Sequence, residues 1–337
     1  MPDNLIFAME VMLNGLMAGV MYSLVALGFV LIYKASGIFN YAQGVMALFA
    51  AMTLVGIQEG RVPFAHLINA IFGTHVHDFG FTMPTAMSIL FTVVVMVAFA
   101  LLVQRFIFKH LVGQEPIILF MATIGLAYFL EGVSDLMWGS ELRTLDVGLP
   151  QGINIPIDDS TFNMFGYGFF IDNLDIAASI IAAILVAVLI AFSQYTKQGR
   201  AMRAVADDHQ AALSVGISLN YVWVLVWSLA GIVALVAGIM WGSKSGVQFS
   251  LSLIALKALP VLMLGGFTSI PGAIVGGLII GMGEALFEFF VSSPSLGGAL
   301  FGFTFSATEN WFAYVLALMF LVFRPQGLFG EKIIERV

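Results

Sequence analysis

The 337-residue chain has no cysteine, which excludes disulfides, thiolate chemistry and cysteine-ligated metals. Charge is nearly as scarce: Asp, Glu, Lys and Arg supply 10% of the residues, against roughly 25% in an average soluble domain. There is no basic face, so nucleic acid is not expected as a partner. No G-x-x-x-x-G-K-[ST] loop occurs, so the chain cannot itself cradle ATP phosphates as a P-loop does. None of the five histidines falls in the middle of an apolar run, which counts against a serine–histidine hydrolase inside a membrane. No run carries the arginine ladder of a voltage sensor or the buried acids of a proton relay. Uphill transport by such a chain would draw its energy from another polypeptide. The first residues, MPDNLIFAME, lack a basic region and a small-residue cleavage site, so the first apolar run is expected to stay in the mature protein.

What the chain has instead is apolar bulk, 60% of its residues with a mean hydropathy of +1.01. This bulk is spread over the full length, which predicts an all-α integral membrane protein, a polytopic helical bundle forming one transmembrane domain over 1–337. About nine runs are long enough to span: Leu5–Tyr33, Phe39–Ile57, Pro84–Val103, Pro116–Trp138, Asp175–Tyr195, Tyr221–Trp241, Leu251–Phe267, Pro271–Val291 and Trp311–Phe323. Eight to ten spans are compatible with the pattern. With nine spans and the N-terminus outside, one side holds Lys34, Arg105, Lys109, Lys197, Arg200, Arg203, Arg324, Lys332 and Arg336. The other holds Arg61, Arg143 and Lys244. The excess of cations marks the first side as cytoplasmic, so residues 58–83 and 139–174 are expected as outer loops. Most of the loop acids (Asp146, Asp158, Asp159, Asp172) also fall outside.

One polar stretch interrupts the apolar pattern: Thr196 to Tyr221, TKQGRAMRAVADDHQAALSVGISLNY. A soluble hinge in a lipid-embedded chain is where a water-borne partner can hold it. A short amphipathic helix is predicted over Ala201–Ser214, parallel to the membrane. Its apolar contacts come from Ala204, Val205, Ala211, Ala212, Leu213 and Val215, its polar ones from Arg200, Arg203, Asp207 and Asp208. Two further places read as broken helices, SGIFNYAQG at Ser36–Gly44 and MLGGFTSIPG at Met263–Gly272. Paired interruptions of this kind occur in transporters with inverted repeats, although the two halves show no residue-by-residue match.

Small residues form stripes. Ala273, Gly277, Gly281 and Ala285 recur every four residues, with Gly272 and Gly276 beside them, and Gly15, Gly19 and Ser23 make a shorter set. Such stripes let helices approach closely in lipid; a subunit interface or a pore lining would use the same pattern. Lys257, inside LIALKALPVL, is the charge most deeply set in an apolar run and must snorkel, pair or face water. Asn40, Tyr41, Gln43 and Gly44 offer a neutral polar lining at a broken helix start. Glu284 and Glu288 share a helix face but lie near an end, where solvation is the plainer reading. Glu131 and Asp135 approach the outer end of their span, and His75 with His77 is a weak metal pair.

Three blocks, in order, resemble the LivH-type permease subunits of branched-chain amino-acid ABC importers. They are NGLMAGVMYSLVALGFVLIYKASGIFNYAQGVMALFAA, GRAMRAVADDHQAALSVGI at Gly199–Ile217, and LKALPVLMLGGFTSIPGAIVGGLIIGMGEAL at Leu256–Leu286. The closing FRPQGLFG at Phe323–Gly330 extends the match. The resemblance implies that 196–220 is a cytoplasmic coupling loop whose Gly199, Arg200, Arg203, Asp207, Asp208, Ala211 and Gly216 engage an ATPase. It also implies a second, LivM-like permease subunit, two ATP-binding cassette ATPase subunits, a periplasmic substrate-binding protein and residence in the lipid of the bacterial inner membrane. It implies no catalytic residue and no cofactor. The outer stretches His66–Asp78 and Gly139–Leu174 match no block of that family. The competing reading is an autonomous channel or facilitator for urea, short amides or another small neutral solute, which leaves the polar hinge without a purpose.

Overall fold

The structure is a computed structural model describing residues 2–75, 77–111, 113–150, 152, 171–292 and 309–330. Its helices are α1 Pro2–Ser36, α2 Gln43–Gln58, α3 Ala65–Phe72, α4 Thr85–Phe106, α5 Pro116–Trp138 and α6 Asn173–Tyr195. They continue as α7 Lys197–Asp207, α8 His209–Ser214, α9 Leu219–Ser245, α10 Ile254–Gly265, α11 Ile270–Ser292 and α12 Glu309–Phe323. Short 3₁₀ turns cover Phe108–His110 and Phe249–Leu253. Among the described residues the only extended pairings are two isolated bridges, Arg61 with Asp78 and Arg143 with Val247. The chain is an all-α, multi-pass membrane protein: six described helices are long and apolar enough to cross a bilayer. Shorter apolar helices occupy Gln43–Gln58, Phe249–Gly265 and Trp311–Phe323, so each of the nine expected runs is helical. Asp158, Asp159, the charged tail beyond Gly330 and much of the expected loop 139–174 lie outside the described residues.

Local chemistry sets the helix ends. Pro116 stands in the first turn of α5, where its missing N–H costs nothing. Gly139 and Gly246, at φ +81° and +77°, end α5 and α9 in positive-φ backbone that glycine alone adopts without strain. The chain divides into two compact units.

The first unit comprises Met1–Ala26, Leu149–Ile184 and Lys257–Val337. Its small-residue stripes meet. A Cβ on Gly15 would lie 2.7 Å from the Ala285 Cβ and the Gly281 carbonyl oxygen, and one on Gly19 would overlap the Gly277 carbonyl. Because Gly15 faces Gly281 and Gly19 faces Gly277, α1 and α11 run antiparallel. The Ser23 hydroxyl donates to the Gly19 carbonyl at 2.8 Å, beside Gly277. Gly272 and Gly276, on another face of α11, sit against Gly265 and Val261 of α10. The gap after α10 is closed by the chain's last described segment, where Leu328 and Phe329 N–H groups donate to the Leu264 and Gly265 carbonyls at 2.8 and 3.2 Å. Glu284 departs from the solvated reading: it is buried. That end of α11 is packed rather than wet: one turn on, Phe312 of α12 stacks on Phe287 with ring centroids 4.2 Å apart.

The second unit comprises Leu27–Gly148 and Leu185–Leu256. Its centre is α2, buried on every side from Gln43 to Gly56, as an all-apolar helix must be. At 16 residues it spans only about 24 Å at ~1.5 Å per residue, short of the ~30 Å of a hydrocarbon core. Helices α4, α5 and α9 enclose it. The Trp138 ring lies over Gly56, and its Nε1 donates to Thr53 at 3.3 Å. Beyond α9, Arg143 and Val247 exchange backbone hydrogen bonds of 3.0 and 2.7 Å, and the buried Arg143 guanidinium donates to the Trp138 carbonyl. Burial first, and the neighbouring Arg61 second, hold the Arg143 pKa below the ordinary guanidinium value, while Glu59 and Glu141 oppose them.

A Cβ at Gly281 would collide with the backbone of Gly15 and Gly19, whereas one at Gly132 meets nothing. Gly281→Ala should therefore destabilise the protein by about 2 kcal/mol through overpacking. Gly132→Ala should be neutral or mildly stabilising. Thermal unfolding in detergent, read for both variants, checks the pair.

Candidate functional site

The polar stretch begins at a corner made by two residues. The Thr196 hydroxyl donates back to the Phe192 carbonyl at 2.6 Å and accepts from the Gly199 N–H at 2.9 Å, capping α7. A Cβ on Gly199 would overlap the Phe192 and Ser193 carbonyl oxygens, so this position suits only glycine. Thr196 itself, at φ −91° and ψ 157°, leaves the helical region, so α6 ends and α7 begins there.

The single helix expected over Ala201–Ser214 is in fact two. Asp208, at φ −157° and ψ 115°, leaves the helical region, and its Oδ1 accepts from the Gln210 and Ala211 N–H groups at 2.8 and 3.0 Å. The break has a plain cause. A short acidic side chain competes for the backbone more strongly in a cap than within a helix. Asp208, expected to contact a partner, is thus first the N-cap of α8. The pair ends at Gly216, φ +86°. Its N–H donates to the Leu213 carbonyl and that of Ile217 to the Ala212 carbonyl, both at 3.0 Å, the double closure of a Schellman cap.

Met202, Val205 and Ala212 are buried and hold α7 and α8 against α9. Lys197, Arg200, Arg203, Asp207 and Ala211 are exposed, and the Arg203 Nη2 reaches the Gln194 carbonyl at 3.5 Å. Three of the expected apolar contacts are exposed instead: Ala211, and Leu213 and Val215 at 53% and 75%. The break at Asp208 re-aims α8, so a register extended from α7 fails beyond it. The outer face of the pair therefore combines two aliphatic side chains with two arginines and an acid.

The other sequence-selected residues lie elsewhere. Asn40 and Gln43 are fully buried and bonded to each other at 3.3 Å. Asn40 accepts from the Ala42 N–H at 3.2 Å, and Gln43 donates to the Ala230 carbonyl at 3.3 Å. Tyr41, partly exposed, donates its N–H to Thr123 at 3.1 Å. Gly44 meets the Ser252 carbonyl and Ala255, an approach closer than a side chain allows. Lys257 is half-buried, donating to the Tyr22 hydroxyl at 3.3 Å with its Nζ 5.5 Å from that ring's centroid. No group of three metal-ligating side chains converges among the described residues.

The family described as "Branched-chain amino acid transport system / permease component" matches residues 11–323. The high-affinity branched-chain amino acid transport system permease protein LivH of Escherichia coli K12 is 26% identical over 349 residues, covering 100% of both chains. BraD of Pseudomonas aeruginosa, of the same description, is 27% identical over 338 residues, covering 98% of each. The ribose import permease protein RbsC of Bacillus subtilis is 34% identical over 129 residues, 36% of this chain and 39% of its own. No solved structure matches the chain.

Asp208→Ala should loosen α8 by about 1 kcal/mol, the ordinary worth of an N-cap. Amide exchange at 210–213 should then rise about fivefold. Asp208→Asn keeps the acceptor and should leave exchange unchanged. Equal exchange in both variants would show that the cap does not hold the helix.

Proposed function

Because the chain belongs to the permease components of branched-chain amino acid transport systems, we propose that branched-chain or related amino acids cross the membrane through it, driven by ATP hydrolysis in partner subunits. The chain is a transport permease of a family that is not enzymatic. The observation that carries the coupling reading is the α7–α8 pair, capped at Thr196, Asp208 and Gly216, which exposes Arg200, Arg203 and Asp207 on α7 and Leu213 and Val215 at the end of α8. An element that exposes both aliphatic and charged side chains suits a protein partner, and a chain with no P-loop needs one that hydrolyses ATP. Two ATP-binding cassette subunits, a LivM-like second permease and a periplasmic binding protein complete the proposed assembly. A facilitator of urea or short amides gives the pair no task.

In the proposed orientation the N-terminus is periplasmic and the C-terminus cytoplasmic. The cation count supports this: alternating the nine runs across the bilayer would put Lys34, Arg105, Lys109, Lys197, Arg200, Arg203, Arg324, Lys332 and Arg336 on the cytoplasmic side, against Arg61, Arg143 and Lys244 outside. Closure of the ATPase dimer would push the pair, and α6 and α9 with it. Asn40, Tyr41, Gln43 and Gly44 are proposed to border the path, and Lys257 to meet the substrate carboxylate.

The test uses the complex reconstituted in proteoliposomes with its binding protein. Leu213→Asp combined with Val215→Asp should leave assembly of the membrane subunits intact. It should cut uptake about tenfold or more, the loss expected from an anchor worth ~2 kcal/mol. Normal uptake with normal assembly would refute the coupling role, and normal uptake by Lys257→Met would remove that residue from the path.

A further inference from the structure

Between α2 and α4 the chain builds a feature to which the proposed coupling gives no role. The eight-residue α3 is about 12 Å long at ~1.5 Å per residue, far too short to cross a membrane. Residues Phe64 and Gly73, both in left-handed backbone, bound it. It is not a loose loop. The Phe79 N–H donates to the Gly60 carbonyl at 2.8 Å, Val62 to His77 at 3.2 Å, Phe64 to Met137 at 3.1 Å and Met83 to Gln58 at 3.1 Å. These bonds pin the excursion onto the ends of α2 and α5.

Pinned in this way, it displays apolar side chains. Ile71, Phe72, Phe79 and Phe81 are 65%, 73%, 59% and 54% exposed, and Leu67, one turn before Ile71, is exposed with them. The Phe79 and Phe81 rings lie 6.1 Å apart. A rigid backbone holding five large apolar groups in the open implies an apolar surrounding.

Position decides which one. The segment leaves one apolar helix and returns to another at the same end, so it lies where hydrocarbon gives way to headgroups. Met87 and Leu90 in the first turns of α4 and Leu136 in the last turn of α5 are exposed at that end, continuing the apolar surface that the spans present to lipid. Thr74 donates to Asn69 at 2.9 Å, and His75, His77 and Asp78 are exposed beside the apolar set, the polar edge that a headgroup layer accommodates. We infer that α3 and the Phe79–Phe81 turn form an interfacial anchor, bedded in the bilayer surface with Ile71, Phe72, Phe79 and Phe81 toward the acyl chains.

The absence of cysteine makes the test direct. Single cysteines replacing Ile71, Phe72, Phe79 and, as a polar control, His75 carry nitroxide labels in the assembled complex in lipid nanodiscs, with partner cysteines removed. Labels at 71, 72 and 79 should be several-fold more accessible to oxygen than to a water-soluble nickel chelate, and the label at 75 the reverse. Chelate-dominated accessibility at all four sites would overturn the anchor. So would protection that appears only when the binding protein is added, which would make the patch a protein-docking face. A second measurement needs no substitution: in the unsubstituted complex a lipid-soluble diazirine should label the peptide around Phe72 and Phe79, and its failure to do so while labelling α4 would equally refute the inference.

Discussion

Hydrocarbon offers no water to a backbone that leaves its helix, so every break near membrane depth must find its partners within the protein. The chain's irregular joints are organised by this requirement. At residues 37–42 the Asn40 carboxamide and the Thr123 hydroxyl take up backbone groups released before α2. After α10 the segment containing Leu328 and Phe329 returns to cap the last carbonyls. After α9 the Arg143–Val247 pair performs the same service, with the Arg143 guanidinium closing the end of α5. Glycine works on the same problem from the other side, because α1 and α11 touch through backbone where side chains would hold them apart.

These closures bear on how force would travel. The corner at Thr196 and Gly199 ties α7 to α6 through two hydrogen bonds and a contact too tight for any Cβ. Buried Met202, Val205 and Ala212 seat the pair on α9. A push on the exposed side of such an element has few soft joints to dissipate in. Fixed caps at both ends, rather than length, would make this short helix pair usable as the proposed lever.

Much of this was legible in the sequence. The nine apolar runs became helices, because the need for about 20 apolar residues per span is local and strong. Proline and glycine marked their ends, as at Pro116 and Gly139. The small-residue stripes announced close packing, but their partners did not follow from spacing, since the Gly15–Gly281 register is a fact of tertiary contact. The break at Asp208 was missed because an amphipathic pattern carries across a one-residue cap; the DD doublet with Gln210 and Ala211 behind it was the available signal. Helix α3 falls inside an expected loop because its apolar residues, Leu67, Ile68, Ile71 and Phe72, are too few for a span. The burial of Glu284 belongs to tertiary packing, which no local window contains.

The central claim is that the α7–α8 pair is where an ATPase holds this permease. A cysteine placed at Val215, alone in a chain with none, can carry a short photo-crosslinker in the assembled transporter. The account predicts a covalent product with the ATP-binding subunit, its yield changing when ATP is bound and trapped. Failure to capture that subunit in an intact, transport-competent complex would contradict it.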